Sequence, residues 1–337
     1  MARAINKGPK PRGGYATVSK EALERKPFTK KTFNKEASSG AATSAVASKA
    51  VRKTAAQPNI VLSDEKSTLQ VALLRAQKHG ISKVDARMLL LHTLGLPTSD
   101  QAWLIAHNND TLKPAQALVY ADACARRRTG EPVAYIVGYK EFYGLRLMVD
   151  SRVLDPRDDT ETLVDWALEL FQSDPICALD LGTGSGAIAL ALQNKRPEWR
   201  VYASDASEQA LTVARSNALA LNLPVQFHQG SWLAAVTGQK FNLIVSNPPY
   251  VANDDPHLAA LTHEPLQALT SGADGLSDIR QIISNAPAHL HSGGWLLIEH
   301  GYDQAMAVRT LLEAHGFSQV QSRRDIAGME RCTGAKL

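Results

Sequence analysis

The chain has 337 residues, 44% of them hydrophobic and 21% charged, which leaves room for two domains or one large domain with additions. No apolar run approaches the roughly 18–20 residues that cross a bilayer, and no apolar segment follows the basic N-terminus as it would in a secretory signal. The net charge of +4 hides an asymmetry: residues 1–60 hold 13 Lys/Arg against three Glu, a net of +10, so the rest of the chain is net −6.

The three cysteines, Cys124, Cys177 and Cys332, lie far apart without CxxC spacing. They read as reduced thiols of a cytoplasmic protein rather than a disulfide framework. The ten histidines form no HxxxH or HExxH pattern, and no metal is expected.

Residues 1–63 are rich in Lys, Ala, Ser, Thr, Gly and Pro and show no sustained period. Such a segment buries too little surface to offset its ordering entropy, so it is expected to be a disordered basic extension. Its charge can attract RNA or ribosomal surfaces nonspecifically, although a plain solvated tail is the simpler reading. An acid-poor mitochondrial presequence is the third reading, against which stand Lys outnumbering Arg and Glu21, Glu24 and Glu36.

Residues 64–130 turn helical. Leu69, Ala72, Leu73 and Ala76 fall at i, i+3, i+4 and i+7, and Gly80 ends that run; Ala86, Leu89, Leu90 and Leu94 form the next face, with Gly95 as its stop. Trp103-Leu104-Ile105 and Ala117 to Ala125 predict two more helices, and short connections between short helices predict a small bundle. Substrate recognition is the expectation for a bundle placed ahead of a catalytic domain, and the residues themselves do not specify it. Residues 131–156 switch period: Val133, Tyr135 and Val137 alternate, as do Leu145, Leu147 and Val149, around Gly138 and Gly144. This predicts a β-hairpin linker. A helix then runs from Thr162 to Phe171, with Asp159 or Thr160 placed to cap it.

From 157 to 337 strands and helices alternate. Strands are expected at 176–181, 200–205, 225–229, 241–246 and 295–300, with two more near Gln319 and Cys332; helices are expected at 187–193, 208–221, 278–290 and 304–315. The pattern is that of an α/β domain with a mostly parallel sheet.

Two stretches carry chemistry. Between the first strand of that domain and its helix lies Asp180-Leu181-Gly182-Thr183-Gly184-Ser185-Gly186-Ala187, where glycines allow a sharp turn and close approach to a ligand. Asp205 ends the next strand, where a carboxylate can accept hydrogen bonds from ribose hydroxyls. Gly182-x-Gly184-x-x-Ala187 alone also fits a dinucleotide site for a nicotinamide or flavin. Asp180 argues against that, because its charge repels a pyrophosphate and suits a ligand bearing an ammonium and a sulfonium. The second stretch is Asn247-Pro248-Pro249-Tyr250, at the end of the apolar run Phe241–Ser246. Two prolines stop the ladder, and the Asn side chain with the freed carbonyls can hold a planar –NH2 group. Tyr250 can stack on a flat amide or wall the pocket, and Trp232 is placed to meet an adenine.

Together the two motifs resemble class I S-adenosylmethionine-dependent methyltransferases, in the branch that methylates planar amino groups. The flanks Glu131-Pro132-Val133-Ala134-Tyr135, Glu141-Phe142-Tyr143-Gly144, Pro156-Arg157-Asp158-Asp159-Thr160-Glu161 and Glu264-Pro265-Leu266 resemble one family, the release factor glutamine methyltransferases, from about residue 67 to the end. The resemblance implies a Rossmann-like, mostly parallel seven-stranded sheet behind a helical bundle and β-hairpin. It implies S-adenosylmethionine as cofactor and peptide chain release factors as partners, with methylation at N5 of the glutamine in their Gly-Gly-Gln loop. It also implies catalytic roles for Asn247, Pro248, Pro249 and Tyr250. The cofactor is then held by Asp180, Gly182, Thr183, Gly184, Ser185, Gly186, Asp205, Trp232 and Asn247. A monomer is expected. Asp158 departs from the family, which more usually has Pro there, and a looser loop is expected. Arg157 and Glu161 either order the substrate approach or pair locally, and His257, His263 and His300 read as surface or structural. Glutamine methylation of a ribosomal protein, and amino methylation of a DNA adenine or ribosomal RNA base, stay open, as does a non-enzymatic cofactor-binding scaffold.

Overall fold

The computed structural model describes residues 67–172 and 174–337; the expected basic extension, 1–63, lies outside them. The chain starts with four helices, α1 (Leu69–Lys78), α2 (Lys83–Thr93), α3 (Gln101–Ala106) and α4 (Pro114–Arg128). Thr68, Ser82 and Asp100 each accept a backbone N–H of the first turn of α1, α2 and α3, supplying acceptors for otherwise orphaned donors. The predicted faces close on each other: Leu69, Ala72, Ala76, Ala86, Leu89 and Leu90 are buried, and the Tyr120 hydroxyl of α4 donates to the Ala86 carbonyl of α2 at 3.0 Å.

The linker corrects the sequence reading. Val133–Val137 is a short helix, α5, not a strand. Pro132 precedes it, and Gly138 ends it in the left-handed region at φ +83°. A Pro-to-Gly bracket of this kind is a helix signature. Ala134, Tyr135, Ile136 and Val137 are all buried, so the apparent alternation of large side chains did not mark one wet face. The hairpin follows as β1 (Tyr139–Phe142) and β2 (Leu145–Met148), with Phe142 opposite Leu145. Tyr143 (φ 49°) and Gly144 (φ 77°) form its two-residue turn, both left-handed as a type I′ turn requires.

The helix α6 (Glu161–Leu170) is entered through a 3₁₀ turn, Asp158–Thr160, and neither Asp159 nor Thr160 caps it through its side chain. Both residues lie inside the 3₁₀ turn, where Thr160 already has helical backbone (φ −65°, ψ −19°) rather than the extended backbone of a cap. Then come β3 (Cys177–Leu181), α7 (Ala187–Lys195), β4 (Arg200–Asp205), α8 (Glu208–Leu221), β5 (Gln226–Gln229) and β6 (Phe241–Ser246). The chain finishes with α9 (Ser277–His289), β7 (Leu290–Glu299), α10 (Ala305–Ala314), β8 (Ser318–Arg324) and β9 (Glu330–Lys336).

These last seven strands form one sheet in the order β5-β4-β3-β6-β7-β9-β8, parallel except for β9, which runs antiparallel to both neighbours. Side chains alternate between its two faces. Ala178, Val201, Leu243, Val245 and Leu297 pack under α6 and α7, while Leu179, Leu181, Ile244, Leu296 and Ile298 pack under α9 and α10. The chain moves from β3 outward through β4 and β5, then returns to place β6 on the other side of β3. That reversal opens a crevice at the carboxyl ends of β3 and β6, where open α/β sheets bind ligands.

Candidate active site

Both motifs emerge at that crevice. Leu181 of β3 lies beside Ser246 of β6, and the Ser246 hydroxyl donates to the Leu181 carbonyl at 2.8 Å, fixing the two strand ends to each other. After β3 the backbone N–H groups of Gly182 and Thr183 donate to the Ser204 carbonyl at 2.8 and 3.0 Å, folding the loop across the end of β4. Gly182 has φ +72°, and a Cβ there would meet the Trp232 ring at 3.2 Å. Gly186 has φ +87°, and its Cβ would meet Leu190 at 3.0 Å and Ala214 at 3.3 Å, so α7 and α8 could not pack this closely around a larger residue.

Asp180 is fully buried. Its Oδ2 accepts from Thr183 Oγ1 (2.7 Å) and from the Ala189 N–H in the first turn of α7 (3.1 Å), while its Oδ1 has no partner among the described residues. Burial pushes its carboxyl up to about 7, against the pull of those two donors. Asp205 is better solvated and doubly held: Oδ2 accepts from Gly184 N–H at 2.9 Å and Oδ1 from Ser207 N–H at 2.8 Å. Its carboxyl is also raised, chiefly by burial.

A cavity of about 280 Å³ opens here, lined by Gly182, Gly184, Asp205, Trp232, Asn247 and Pro249, with Ser207, Gln267 and Asp278 among its other walls. Asp180, Thr183, Ser185, Gly186 and Pro248 are not in that lining, and all five are buried. Trp232 has its backbone in the left-handed region (φ 46°), rare for a bulky residue, and its indole N–H donates to Asp278 Oδ1 at 3.0 Å. That bond leaves the ring turned to Gly182 and the cavity.

Asn247 lines the same cavity, and its Nδ2 donates to Thr160 Oγ1 at 3.1 Å, so its carbonyl oxygen is the free end of the amide. The Pro248 carbonyl accepts no hydrogen bond from the described residues. The loop beyond is anchored, with Gln304 Nε2 donating to the Tyr250 carbonyl at 3.0 Å and Val251 N–H to the Leu269 carbonyl at 2.9 Å. Tyr250 stands outside this cavity's lining: its ring packs on the core under α9 and its hydroxyl reaches Glu299 Oε1 at 3.4 Å. Burial raises that phenol well above its usual range.

Sequence reasoning missed four supporting residues. Thr160 accepts the Asn247 N–H, Asp278 accepts the Trp232 indole N–H, and Glu299 is buried with Oε1 at 3.4 Å from the Tyr250 hydroxyl. The fourth is Asn217 of α8, buried, which accepts from Met148 N–H (2.7 Å) and donates to the Met148 and Ser185 carbonyls (3.0 and 2.9 Å). It ties the hairpin to the glycine loop. None of the four sits in a sequence motif that announces its partner.

Arg157 forms a 2.6 Å ion pair with the buried Glu264, joining the stretch before α6 to the loop after Asn247-Pro248-Pro249-Tyr250. Both line a second, larger cleft of about 750 Å³ whose far wall is the helical bundle, with Asp85, Arg87 and Arg127. Glu161 is a local partner, accepting from Tyr143 N–H at 2.7 Å in the hairpin turn. Asp158 forms an ion pair with Lys140 of β1 at 2.8 Å, which tethers the loop that lacks the usual proline. His257 is exposed beside Asp255, His263 bonds the Thr129 carbonyl, and His300 is buried between the Gly301 carbonyl and Thr333.

A seven-stranded sheet in this order, with a glycine loop after β3, an acidic residue ending β4 and Asn-Pro-Pro-Tyr after β6, defines a class I methyltransferase. Residues 165–324 match the family described as Methyltransferase small domain, and residues 69–138 match the PrmC N-terminal domain. The chain is 46% identical to the release factor glutamine methyltransferase of Xylella fastidiosa, across 78% of this chain and 96% of that one. It is 46% identical to the same enzyme of Burkholderia pseudomallei (79% and 95% covered) and 41% identical to that of Coxiella burnetii (82% and 99%). The chain belongs to the release factor glutamine methyltransferase family.

Proposed function

We propose that this chain transfers a methyl group from S-adenosylmethionine to the side-chain nitrogen of the glutamine in the Gly-Gly-Gln loop of peptide chain release factors. The observation that carries the proposal is Asn247: it lines the cavity and its N–H is taken by Thr160, which leaves the amide oxygen free, and the next carbonyl in the chain, that of Pro248, accepts no hydrogen bond from the described residues. The curated relatives supply the substrate class. The residues suit the cofactor. An unpartnered, buried Asp180 Oδ1 suits an ammonium, Asp205 retains acceptor capacity for ribose hydroxyls, and the Trp232 ring offers a face for adenine. When bound, S-adenosylmethionine supplies an electrophilic methyl on a sulfonium.

An amide nitrogen is a poor nucleophile because its lone pair is delocalised into the carbonyl. Asn247 Oδ1 and the Pro248 carbonyl each accept one N–H of the substrate amide. This fixes the nitrogen's direction and draws it towards tetrahedral geometry as charge develops on it. After methyl transfer the cationic nitrogen loses one of its two protons and keeps the other, so no strong general base is needed and catalysis rests on positioning and preorganised acceptors. The helical bundle, the hairpin and the Arg157–Glu264 pair frame the larger cleft on the approach to this site, which suits a protein loop as substrate. The protein is proposed to act in the cytoplasm as a monomer.

The test uses labelled S-adenosylmethionine with a purified release factor, its Gly-Gly-Gln→Gly-Gly-Ala variant, a ribosomal protein fraction and duplex DNA. Label on the release factor alone, lost in the variant, is expected. Label on DNA or ribosomal protein, or label that survives the Gln→Ala change, overturns the assignment.

A further inference from the structure

Asn247 works only one way round. With the oxygen towards the cavity it accepts the substrate's N–H; flipped, it offers a second donor to a donor. Its sole partner among the described residues is Thr160 Oγ1, at 3.1 Å, and Thr160 is buried. A hydroxyl can donate one proton as well as accept, so Thr160 alone satisfies either orientation of the amide. Something else must fix where the Thr160 proton points.

Glu299 is placed to do so. It ends β7, the strand beside β6, one residue past the Ser246–Ile298 pair and so level with Asn247, and it is buried; Oε1 accepts from the Tyr250 hydroxyl at 3.4 Å, Oε2 has no hydrogen-bond partner among the described residues, and the nearby Thr160 hydroxyl favours the ionised carboxyl. We propose that ionised Glu299 claims the Thr160 proton and thereby sets Asn247 with its oxygen towards the substrate, making Thr160 and Glu299 positioning residues of the methyl-transfer site. An ionised carboxylate only accepts, so the Thr160 hydroxyl turns its proton to Glu299 and keeps lone pairs for the Asn247 N–H. A protonated Glu299 adds a second proton to the cluster, and Thr160 can then donate to a flipped Asn247 Oδ1.

The charges facing Glu299 come from every side. Arg331 on β9 favours its ionised form, and Asp159 in the 3₁₀ turn opposes it. Cys332 lies directly across the β7–β9 pair, and His300, whose imidazole burial holds below its usual range, is next in the chain. Burial dominates and pushes the Glu299 carboxyl up to about 7, so the orientation would change within the working pH range.

The inference rests on the acceptor role of Asn247, so the experiment separates the two. Steady-state methylation of a release factor is measured with the full-length protein from about pH 5.5 to 8.5 for wild type, N247A, T160V, T160S and E299Q. T160V is expected to lower kcat about tenfold with KM for S-adenosylmethionine within about twofold, the loss of one orienting hydrogen bond. T160S, which keeps the hydroxyl, is expected to recover to within about threefold of wild type. At saturating S-adenosylmethionine, where weaker cofactor binding does not limit the rate, wild-type kcat should fall below about pH 7, and E299Q should be slow with no such acid limb in kcat. If N247A is slow while T160V matches wild type, T160S fails as T160V does, or E299Q keeps the acid limb, the positioning role is overturned and the acceptor role stands. If N247A is as fast as wild type, the acceptor role falls first.

Discussion

Asp180→Asn separates the two jobs of this buried carboxylate. Oδ2 alone accepts from Thr183 Oγ1 and the Ala189 N–H, so an asparagine with its oxygen at that position keeps both bonds. Its NH2 then replaces the unpartnered Oδ1, removing the charge proposed to meet an ammonium. A charge-assisted hydrogen bond is worth about 1.5–3 kcal/mol, so S-adenosylmethionine should bind about tenfold to 150-fold more weakly. Stability should move the other way. The folded carboxyl, raised from 3.8 to about 7, binds its proton more tightly than the unfolded one. Between those two values the unfolded chain ionises first, so wild-type stability falls as pH rises through the window and is flat above it. The full difference corresponds to about 4 kcal/mol, an upper bound on what D180N regains at pH 8. Urea unfolding at about pH 5 and pH 8, with titration calorimetry for the ligand, reads both quantities. Wild-type affinity should also weaken as pH drops below about 7, a limb D180N lacks. A D180N protein that binds as tightly as wild type refutes the charge argument; one that is less stable at pH 8 refutes the account of the loop.

Asn217→Ala leaves the Met148 N–H and two carbonyls without their partner, which at about 1–3 kcal/mol for an unsatisfied donor should cost about 2–4 kcal/mol in urea unfolding and loosen the glycine loop. A loss under about 0.5 kcal/mol would mean the hairpin and loop do not depend on it. Asp158→Pro restores the residue the family more usually carries at the first position of the 3₁₀ turn, where Arg157 is already extended (ψ 144°) as a residue before proline must be. The gain of about 0.4–1 kcal/mol from a stiffer unfolded chain is offset by losing the exposed ion pair to Lys140, so the melting temperature should move by no more than a few degrees and methylation should persist. A collapse of either would show that Asp158 is required.

The central strands β3, β6 and β7 were legible because strands buried on both faces read as short apolar runs, whereas β5 and β8 are exposed or half-buried and carry no such run. The order of strands in the sheet was not legible: nothing in Phe241–Ser246 says that it lies beside β3 rather than beside β5. Val133–Val137 misled because burial on every side erases the periodic signal, although Pro132 and Gly138 bracketed a helix in plain view. At the site, Gly182, Gly184, Asp205, Trp232, Asn247 and Pro249 were legible as types with a chemical use, and they meet in one cavity. Tyr250 was legible as an aromatic but not as one that faces the core, since its neighbours in sequence do not decide which side of the loop it takes. Thr160 looked like a helix cap, and only the fold brings it to Asn247, 87 residues away.

What the fold adds is a division of labour among three adjacent strands, β3, β6 and β7. The first carries Asp180 beneath the glycine loop, the second delivers Asn247 at its end, and the third ends on Glu299 behind it. Asp180 and Glu299 are both buried, each has one oxygen without a hydrogen-bond partner among the described residues, and each is raised by burial to about 7. A core built only for stability would place apolar side chains at such positions, since an under-satisfied buried carboxylate weakens the fold. Their flanking of β6 on both sides has a common physical sense. Asn247 must present a fixed acceptor to a weak nucleophile, and a neutral amide cannot fix its own orientation or attract a cation. Charges held just behind the site, with little water to screen them, can do both.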